Sequence, residues 1–139
     1  MTTYGQLYLT EAIKRGAMAI IASKEITIDE SINVKEMVMV EEGNSILASL
    51  ATLFFGNPLQ KLVVIGITAT NGKTTTSYLI KSMYETMGLK TGLLGTIAYY
   101  IHSDHELEAH STTPDAVYVQ KLMAKMVHNG TEACVMEAS

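Results

Sequence analysis

The segment from Val63 to Thr76, Val-Val-Ile-Gly-Ile-Thr-Ala-Thr-Asn-Gly-Lys-Thr-Thr-Thr, constrains this chain more than any other. Its apolar start reads as a buried strand, and its polar middle as a loop that opens a helix at Gly72-Lys73-Thr74. Such a turn holds a polyphosphate. Backbone N–H groups surround the anion, a lysine offsets its charge, and a hydroxyl reaches the accompanying magnesium. The strict pattern wants glycine where Ile67 stands, and Gly66 falls one residue early, so the commonest ATPase class is not what the segment describes.

Helical periodicity predicts four amphipathic helices. Leu9, Ala12, Ile13 and Gly16 share a face of the first, opposite Glu11, Lys14 and Arg15. Ile46, Leu47, Leu50, Ala51 and Phe54 stripe the second, and Leu79, Ile80, Met83 and Met87 the third. Val119, Leu122, Met123 and Met126 stripe the fourth, which Thr113 caps, with Pro114 at its first position, Asp115 at its positive end and Gly130 as its stop. The methionines read as core packing. Short apolar runs lie between the helices: Ala17–Ala22, Met37–Val40, Leu62–Ile67, Gly92–Ile97 and Ala133–Met136. This alternation predicts an α/β fold with a mainly parallel sheet covered on both faces.

Phe55-Gly56-Asn57-Pro58 gathers turn formers between a helix and a strand and marks a domain boundary. Residues 1–59 and 60–139 are each small for a complete α/β domain, and Ser139 directly follows a strand. A piece of a larger protein is therefore expected.

Composition narrows the function. Apolar residues make up 47%, enough for a core. The net charge of −4, without a basic cluster, argues against a nucleic-acid surface, whereas ATP needs only a local positive site. The longest apolar run, Ile46 to Phe55, is interrupted by Ser49 and Thr52 and is too short to span a bilayer, and residues 1–20 lack signal-peptide features. Cys134 is the single cysteine, so no internal disulfide forms, and its apolar neighbours predict a buried thiol in a reducing compartment. A cytoplasmic location is expected.

Lys73 and Thr74 are the candidates for phosphate and magnesium, with Thr70, Asn71, Gly72 and Thr75 completing the nucleotide loop. Thr75 and Thr76 are explained equally well as helix-start residues. Glu137 closes the last strand, where ligands of open α/β sheets gather, and a carboxylate there can hold magnesium on ATP phosphates; a surface glutamate is the plainer alternative. Capping accounts for Thr113 and Pro114, although a helix start rimmed by hydroxyls also suits an anion. His102, His105 and His110, among Asp104, Glu106 and Glu108, match no metal-ligand spacing and read as a solvated loop.

Taken in order, Thr68 and Thr70 to Thr76, then Leu94-Gly95-Thr96-Ile97, then Thr112-Thr113-Pro114-Asp115, then Met136-Glu137-Ala138-Ser139, the chain resembles the Mur ligase family. The Thr-Thr-Pro-Asp segment narrows this to the MurE-type, tripeptide-forming branch, and residues 11–17 resemble that branch's uridine-nucleotide domain. The resemblance implies the end of a Rossmann-like uridine-nucleotide-binding domain, followed by the first half of a P-loop-type ATPase domain. It implies an ADP-forming amide ligase of peptidoglycan synthesis. In that chemistry the D-glutamate side-chain carboxylate of UDP-N-acetylmuramoyl-L-Ala-D-Glu takes the γ-phosphoryl group of ATP. The amine of a free amino acid, meso-diaminopimelate or L-lysine, then displaces phosphate. Lys73 would serve catalysis by offsetting developing charge, Thr74 and Glu137 would hold Mg2+, and Thr112, Thr113 and Ser139 would contact the muramoyl-dipeptide. The parent is expected to be monomeric.

The family's first uridine-gripping segment would precede residue 1. Its carbamylated lysine, second serine, histidine and C-terminal domain would follow residue 139, so these 139 residues alone are expected not to turn over. Two positions depart from the pattern. Ala69 replaces the usual glycine: a positive φ there would cost on the order of 1 kcal/mol and bring its methyl against the phosphates, and a negative φ would cost nothing; a modest weakening of ATP binding is expected. Ser111 replaces an asparagine and puts one substrate hydrogen bond in question. The alternatives are a folylpolyglutamate or cyanophycin synthetase-like ligase and a nucleotide-binding homologue without catalysis, which Ala69 favours. An ordinary P-loop GTPase or kinase suffers from the missing glycine at position 67.

Overall fold

The computed structural model describes residues 8–23, 35–41, 43–102 and 105–139. It divides into two compact units, Met1–Ile46 and Leu47–Ser139.

The first unit contains α1 (Leu9–Lys14) and a parallel pair, β1 (Ala19–Ser23) and β2 (Glu36–Val40), with Ala19 opposite Glu36 and Ser23 opposite Val40. Only one face of β1 is buried, through Ile20 and Ala22, while Ile21 is exposed. None of the residues of α1 is buried, so the face expected from Leu9, Ala12, Ile13 and Gly16 is not a core face among the described residues. Helix α2 (Gly43–Phe54) runs across the division. Of its expected stripe Ala51 is buried, whereas Leu47, Leu50 and Phe54 are exposed. Gly56 and Asn57 follow in left-handed conformations, φ 74° and 58°, so the turn read at residues 55–58 is real.

The second unit continues with a 3-10 turn at Pro58–Gln60, β3 (Val63–Thr68), α3 (Lys73–Thr86), β4 (Thr91–Leu94), β5 (Ala98–Tyr100), β6 (Glu106–Glu108), α4 (Ala116–His128) and β7 (Ala133–Ala138). The sheet order is β3-β7-β4-β5-β6. β3, β7 and β4 are parallel, and β5 and β6 are added antiparallel. The expected run 92–97 is thus a shorter strand: the chain leaves the sheet at Gly95 and turns back as β5. Three-residue strands such as β5 and β6 carry too little periodicity to be read from sequence.

Alternation along β7 sends its side chains to two faces. Cys134 and Met136 meet α4, where Leu122, Met123 and Met126 pack with Leu94, Tyr99 and Ile101. Burial pushes the Cys134 thiol up to about 12. Glu137 points to the α3 face, where Ser77 reaches it. On α3 the buried residues are Ser77 and Lys81, while Leu79, Met83 and Met87 of the expected stripe are exposed. The polar row wins that face because each member finds a partner. Ser77 bonds the Thr74 carbonyl at 2.8 Å, and the Lys81 ammonium pairs with Glu85 at 2.7 Å while lying over the Tyr100 ring. Among the described methionines Met18, Met37, Met39, Met83 and Met87 are exposed, which limits the packing role to Met123, Met126 and Met136. Among the described residues no helix is long and apolar enough to cross a membrane.

Candidate functional site

Parallel pairing puts Ile67 of β3 opposite Glu137 of β7, so the loop leaving β3 starts beside the Glu137 carboxylate. Gly72 ends that loop at φ 80° as the N-cap of α3, a conformation that any side chain would strain. The α3 N–H groups then face the loop's cleft, where an anion is favoured. The Lys73 ammonium folds over the loop and donates to the Ala69 carbonyl at 2.7 Å.

Ala69 is not in the left-handed region. Asn57 is the non-glycine residue with positive φ among those described. Of the two outcomes weighed for this substitution, the one without backbone cost holds.

Glu137 is fully buried. Its Oε2 accepts the Thr74 hydroxyl at 3.0 Å and the Thr96 hydroxyl at 2.9 Å. Its Oε1 accepts the Thr96 backbone N–H at 3.3 Å and lies 3.2 Å from the Ser77 hydroxyl. A Cβ on Gly95 would clash with Oε1, so the bare backbone there is what admits the carboxylate. The surface-glutamate alternative is thereby removed. Among the described residues no ion pair offsets Glu137. A buried carboxylate with hydroxyl neighbours and no ion-pair partner suits a hard divalent cation, and magnesium typically takes one or two carboxylates while phosphates and water fill the rest. Thr74 and Glu137 are the residues that fit it.

The cleft above these groups has a volume of about 270 Å³. Thr70, Asn71, Gly72, Lys73, Thr74 and Thr75 form one wall, and Thr112, Glu137 and Ser139 line it with them. Thr96 also lines it, although its sequence segment suggested no role. The structure therefore gathers every candidate except Thr113 into one lining. Thr113 lies just behind, its hydroxyl donating to the Glu137 carbonyl at 2.9 Å and accepting the Ser139 N–H at 3.1 Å.

That commitment corrects the helix start. The cap of α4 is Asp115, whose carboxylate accepts the Tyr118 N–H at 2.9 Å; Pro114 precedes the cap, and the helix begins at Ala116. Asp caps at least as well as Thr, which frees Thr113 to tie its loop to the end of β7. Buried Tyr99 holds the same loop from below, its hydroxyl donating to the Ser111 carbonyl at 2.5 Å and accepting the Ser111 N–H at 3.1 Å. The Ser111 hydroxyl is itself engaged with the Thr113 carbonyl at 3.0 Å. Sequence reasoning assigned no role to Thr96, Gly95, Ser77 or Tyr99. Gly95 and Thr96 carried a signal as part of the Leu94-Gly95-Thr96-Ile97 segment of the resemblance, and Ser77 lies one turn beyond Thr74 on the same helix face.

Among the described residues no group of three or more His, Cys, Asp or Glu could hold a metal ion. The His102 and His105 rings lie 5.6 Å apart, and Asp104 falls outside the described residues.

Fold and site together define a class: an α/β domain whose glycine-ended strand-to-helix loop lies beside a buried carboxylate on the adjacent strand. Residues 67–139 match the family described as Mur ligase middle domain. The chain is 54% identical over 134 residues to the UDP-N-acetylmuramoyl-L-alanyl-D-glutamate--2,6-diaminopimelate ligase MurE homolog, chloroplastic, of Arabidopsis thaliana, covering 95% of this chain and 17% of that protein. It is 43% identical over 138 residues to UDP-N-acetylmuramoyl-L-alanyl-D-glutamate--2,6-diaminopimelate ligase 1 of Clostridium acetobutylicum, covering 99% of this chain and 28% of that protein. A solved structure of a UDP-N-acetylmuramoyl-L-alanyl-D-glutamate--2,6-diaminopimelate ligase shares the fold, with a TM-score of 0.73 at 23% identity over 96% of this chain and 26% of that one. The chain belongs to the Mur ligase family. It spans 17% and 28% of the lengths of these two curated relatives.

Proposed function

We propose that this chain forms part of an ATP-dependent, ADP-forming ligase that adds the third amino acid to UDP-N-acetylmuramoyl-L-Ala-D-Glu in peptidoglycan synthesis. The observation that carries this reading is the meeting of Thr74 and Glu137, at 3.0 Å, under the loop of Thr70 to Lys73. Relatives named for 2,6-diaminopimelate make that amino acid the proposed third residue. The assignment of residues 1–59 to a uridine-nucleotide domain and 60–139 to the ATPase domain belongs to the same proposal. So does a monomeric parent in the compartment where the precursor is made.

The reaction brings a carboxylate against a phosphoryl group, two anions, so positioning and charge neutralisation do most of the work. The N–H groups at the start of α3 take the phosphates, and the Lys73 ammonium leaves the Ala69 carbonyl to meet the charge that develops on them. Thr74 and Glu137 hold the magnesium, which when bound offsets charge on the phosphate oxygens. Thr112 and Ser139, on the opposite wall, orient the dipeptide so that its D-glutamate carboxylate lies in line with the γ-phosphorus. The acyl-phosphate formed there is then open to the amine of the amino acid.

The full-length protein carrying this chain is the material for the test. ADP release that requires UDP-N-acetylmuramoyl-L-Ala-D-Glu and 2,6-diaminopimelate together is the expected result. Release triggered instead by a folate or a polypeptide carboxylate would transfer the chain to another ligase of the superfamily. Tight nucleotide binding without release under any carboxylate would support the non-catalytic reading, for which Ala69 offers no backbone strain.

A further inference from the structure

Thr96 sits in the turn between β4 and β5, and Thr112 in the loop before α4, yet their hydroxyl oxygens are 3.1 Å apart. The same Thr96 oxygen is 2.9 Å from Glu137 Oε2. Thr96 is the donor in both contacts, and a hydroxyl has one proton, so Thr112 and Glu137 compete for it. The Thr112 proton is left for an acceptor on the proposed dipeptide wall. Donation to such an acceptor makes the Thr112 oxygen a stronger acceptor in its turn.

We infer that Thr96 is a positioning residue that couples occupancy of the Thr112 wall to the metal-holding strength of Glu137. This rests on the ligase reading above. An acceptor group of the dipeptide takes the Thr112 hydroxyl proton, and the Thr112 oxygen then draws the Thr96 proton toward itself and away from Glu137. The Thr96 hydroxyl then donates less strongly to Oε2, and the oxygen becomes a better ligand for a cation. The dipeptide side therefore favours magnesium, and by linkage magnesium favours the dipeptide by the same factor. The Thr96 N–H to Oε1 is a backbone bond and is independent of the hydroxyl, so the hydroxyl can be removed while the carboxylate keeps one anchor.

The test uses the full-length protein and a non-hydrolysable ATP analogue, with binding followed by calorimetry as Mg2+ is titrated, with and without saturating UDP-N-acetylmuramoyl-L-Ala-D-Glu. The dipeptide is expected to lower the half-saturating Mg2+ at least about fivefold in the unsubstituted protein. In Thr96→Val the ratio should fall to near one, and in Thr96→Ser it should return. A Thr96→Val protein that keeps the full ratio overturns the relay, as does a ratio of one in the unsubstituted protein, which needs no variant to fold. If the unsubstituted protein binds no magnesium nucleotide at all, the ligase reading fails and the relay with it, a result distinct from failure of the relay alone.

Discussion

Thr74 and Glu137 lie 63 residues apart in sequence and meet at 3.0 Å, hydroxyl to carboxylate. Strand register makes the contact. Val63 pairs with Ala133 and Ile67 with Glu137, so the last residues of β7 arrive where β3 gives way to its loop. A slip of one residue would turn the carboxylate to the α4 side, among Leu122 and Met126, where nothing could satisfy it. The apolar face that fixes the register, Cys134 and Met136 against α4, therefore also aims the functional group on the opposite face.

Glu137→Gln separates the structural from the chemical role of this side chain. The amide nitrogen can take the place of Oε2 and donate to both threonine hydroxyls, which rotate to accept, while the amide oxygen keeps the Thr96 N–H. Thermal unfolding of the free protein should move by no more than about 1 kcal/mol, in either direction, because a buried charge without an ion pair is lost along with its bonds. Magnesium-dependent nucleotide affinity should drop at least tenfold, about 1.4 kcal/mol. Calorimetry with and without Mg2+ reads both, and unchanged Mg2+ dependence would remove Glu137 from the site.

Ala69→Gly should not tighten nucleotide binding, since alanine meets no backbone penalty at its φ. It should instead lower stability by roughly 0.4–1 kcal/mol, because glycine has more freedom to lose on folding. Nucleotide affinity measured beside denaturant unfolding decides this. A several-fold gain in affinity would mean that the Ala69 methyl crowds the phosphates.

The parts of this site that sequence revealed are those written locally. The strand, the glycine at the turn, the lysine and the first threonine are contiguous, and their spacing alone implies a phosphate cradle. What sequence could not supply is what crosses the sheet. Thr96 and Gly95 matter because β7 lies next to β4, and no local pattern states that adjacency. The exposed stripes of α2 and α3 have a different cause. Periodicity tells which residues share a face, but whether that face is covered depends on partners elsewhere. On α3 the row that meets the sheet is Ser77 and Lys81, chosen by Glu137, Glu85 and Tyr100. Sequence puts the cap of α4 at Thr113 and not at Asp115 because both suit capping, and the competing demand of the β7 end on Thr113 is non-local.

Cys134 sets a limit at high pH. Burial raises its thiol from the ordinary 9.0 to about 12. Between those values the unfolded chain has released the proton and the folded chain retains it, so the folded state is progressively disfavoured as pH rises. Stability should be level below pH 9 and then fall by up to about 1.4 kcal/mol per pH unit from this group. The Tyr100 phenol, raised chiefly by its hydrogen bond to Glu106, adds a decline in the same direction from higher pH. Denaturant unfolding at pH 8, 9 and 10 checks this: Cys134→Ala should lower stability throughout yet flatten the slope just above pH 9. An unaltered slope would place the alkaline sensitivity elsewhere.

Gly95→Ala is the sharpest probe of how the carboxylate is seated. A methyl there would clash with Glu137 Oε1 and come within 3.2 Å of Leu93 Cδ2, so either the turn or the carboxylate must move. Overpacking of this kind costs about 1–3 kcal/mol. Gly66→Ala is the matched control: the site in β3 has nothing within 4 Å of an added Cβ and no positive φ, so stability should change little or rise. Displacing Oε1 also pulls Oε2 from Thr74, so nucleotide affinity in Mg2+ should fall more than tenfold in Gly95→Ala, while affinity without Mg2+ should fall far less. Equal losses under both conditions would mean that the turn had collapsed onto the phosphate loop itself, and that the seat of Glu137 is not what Gly95 protects.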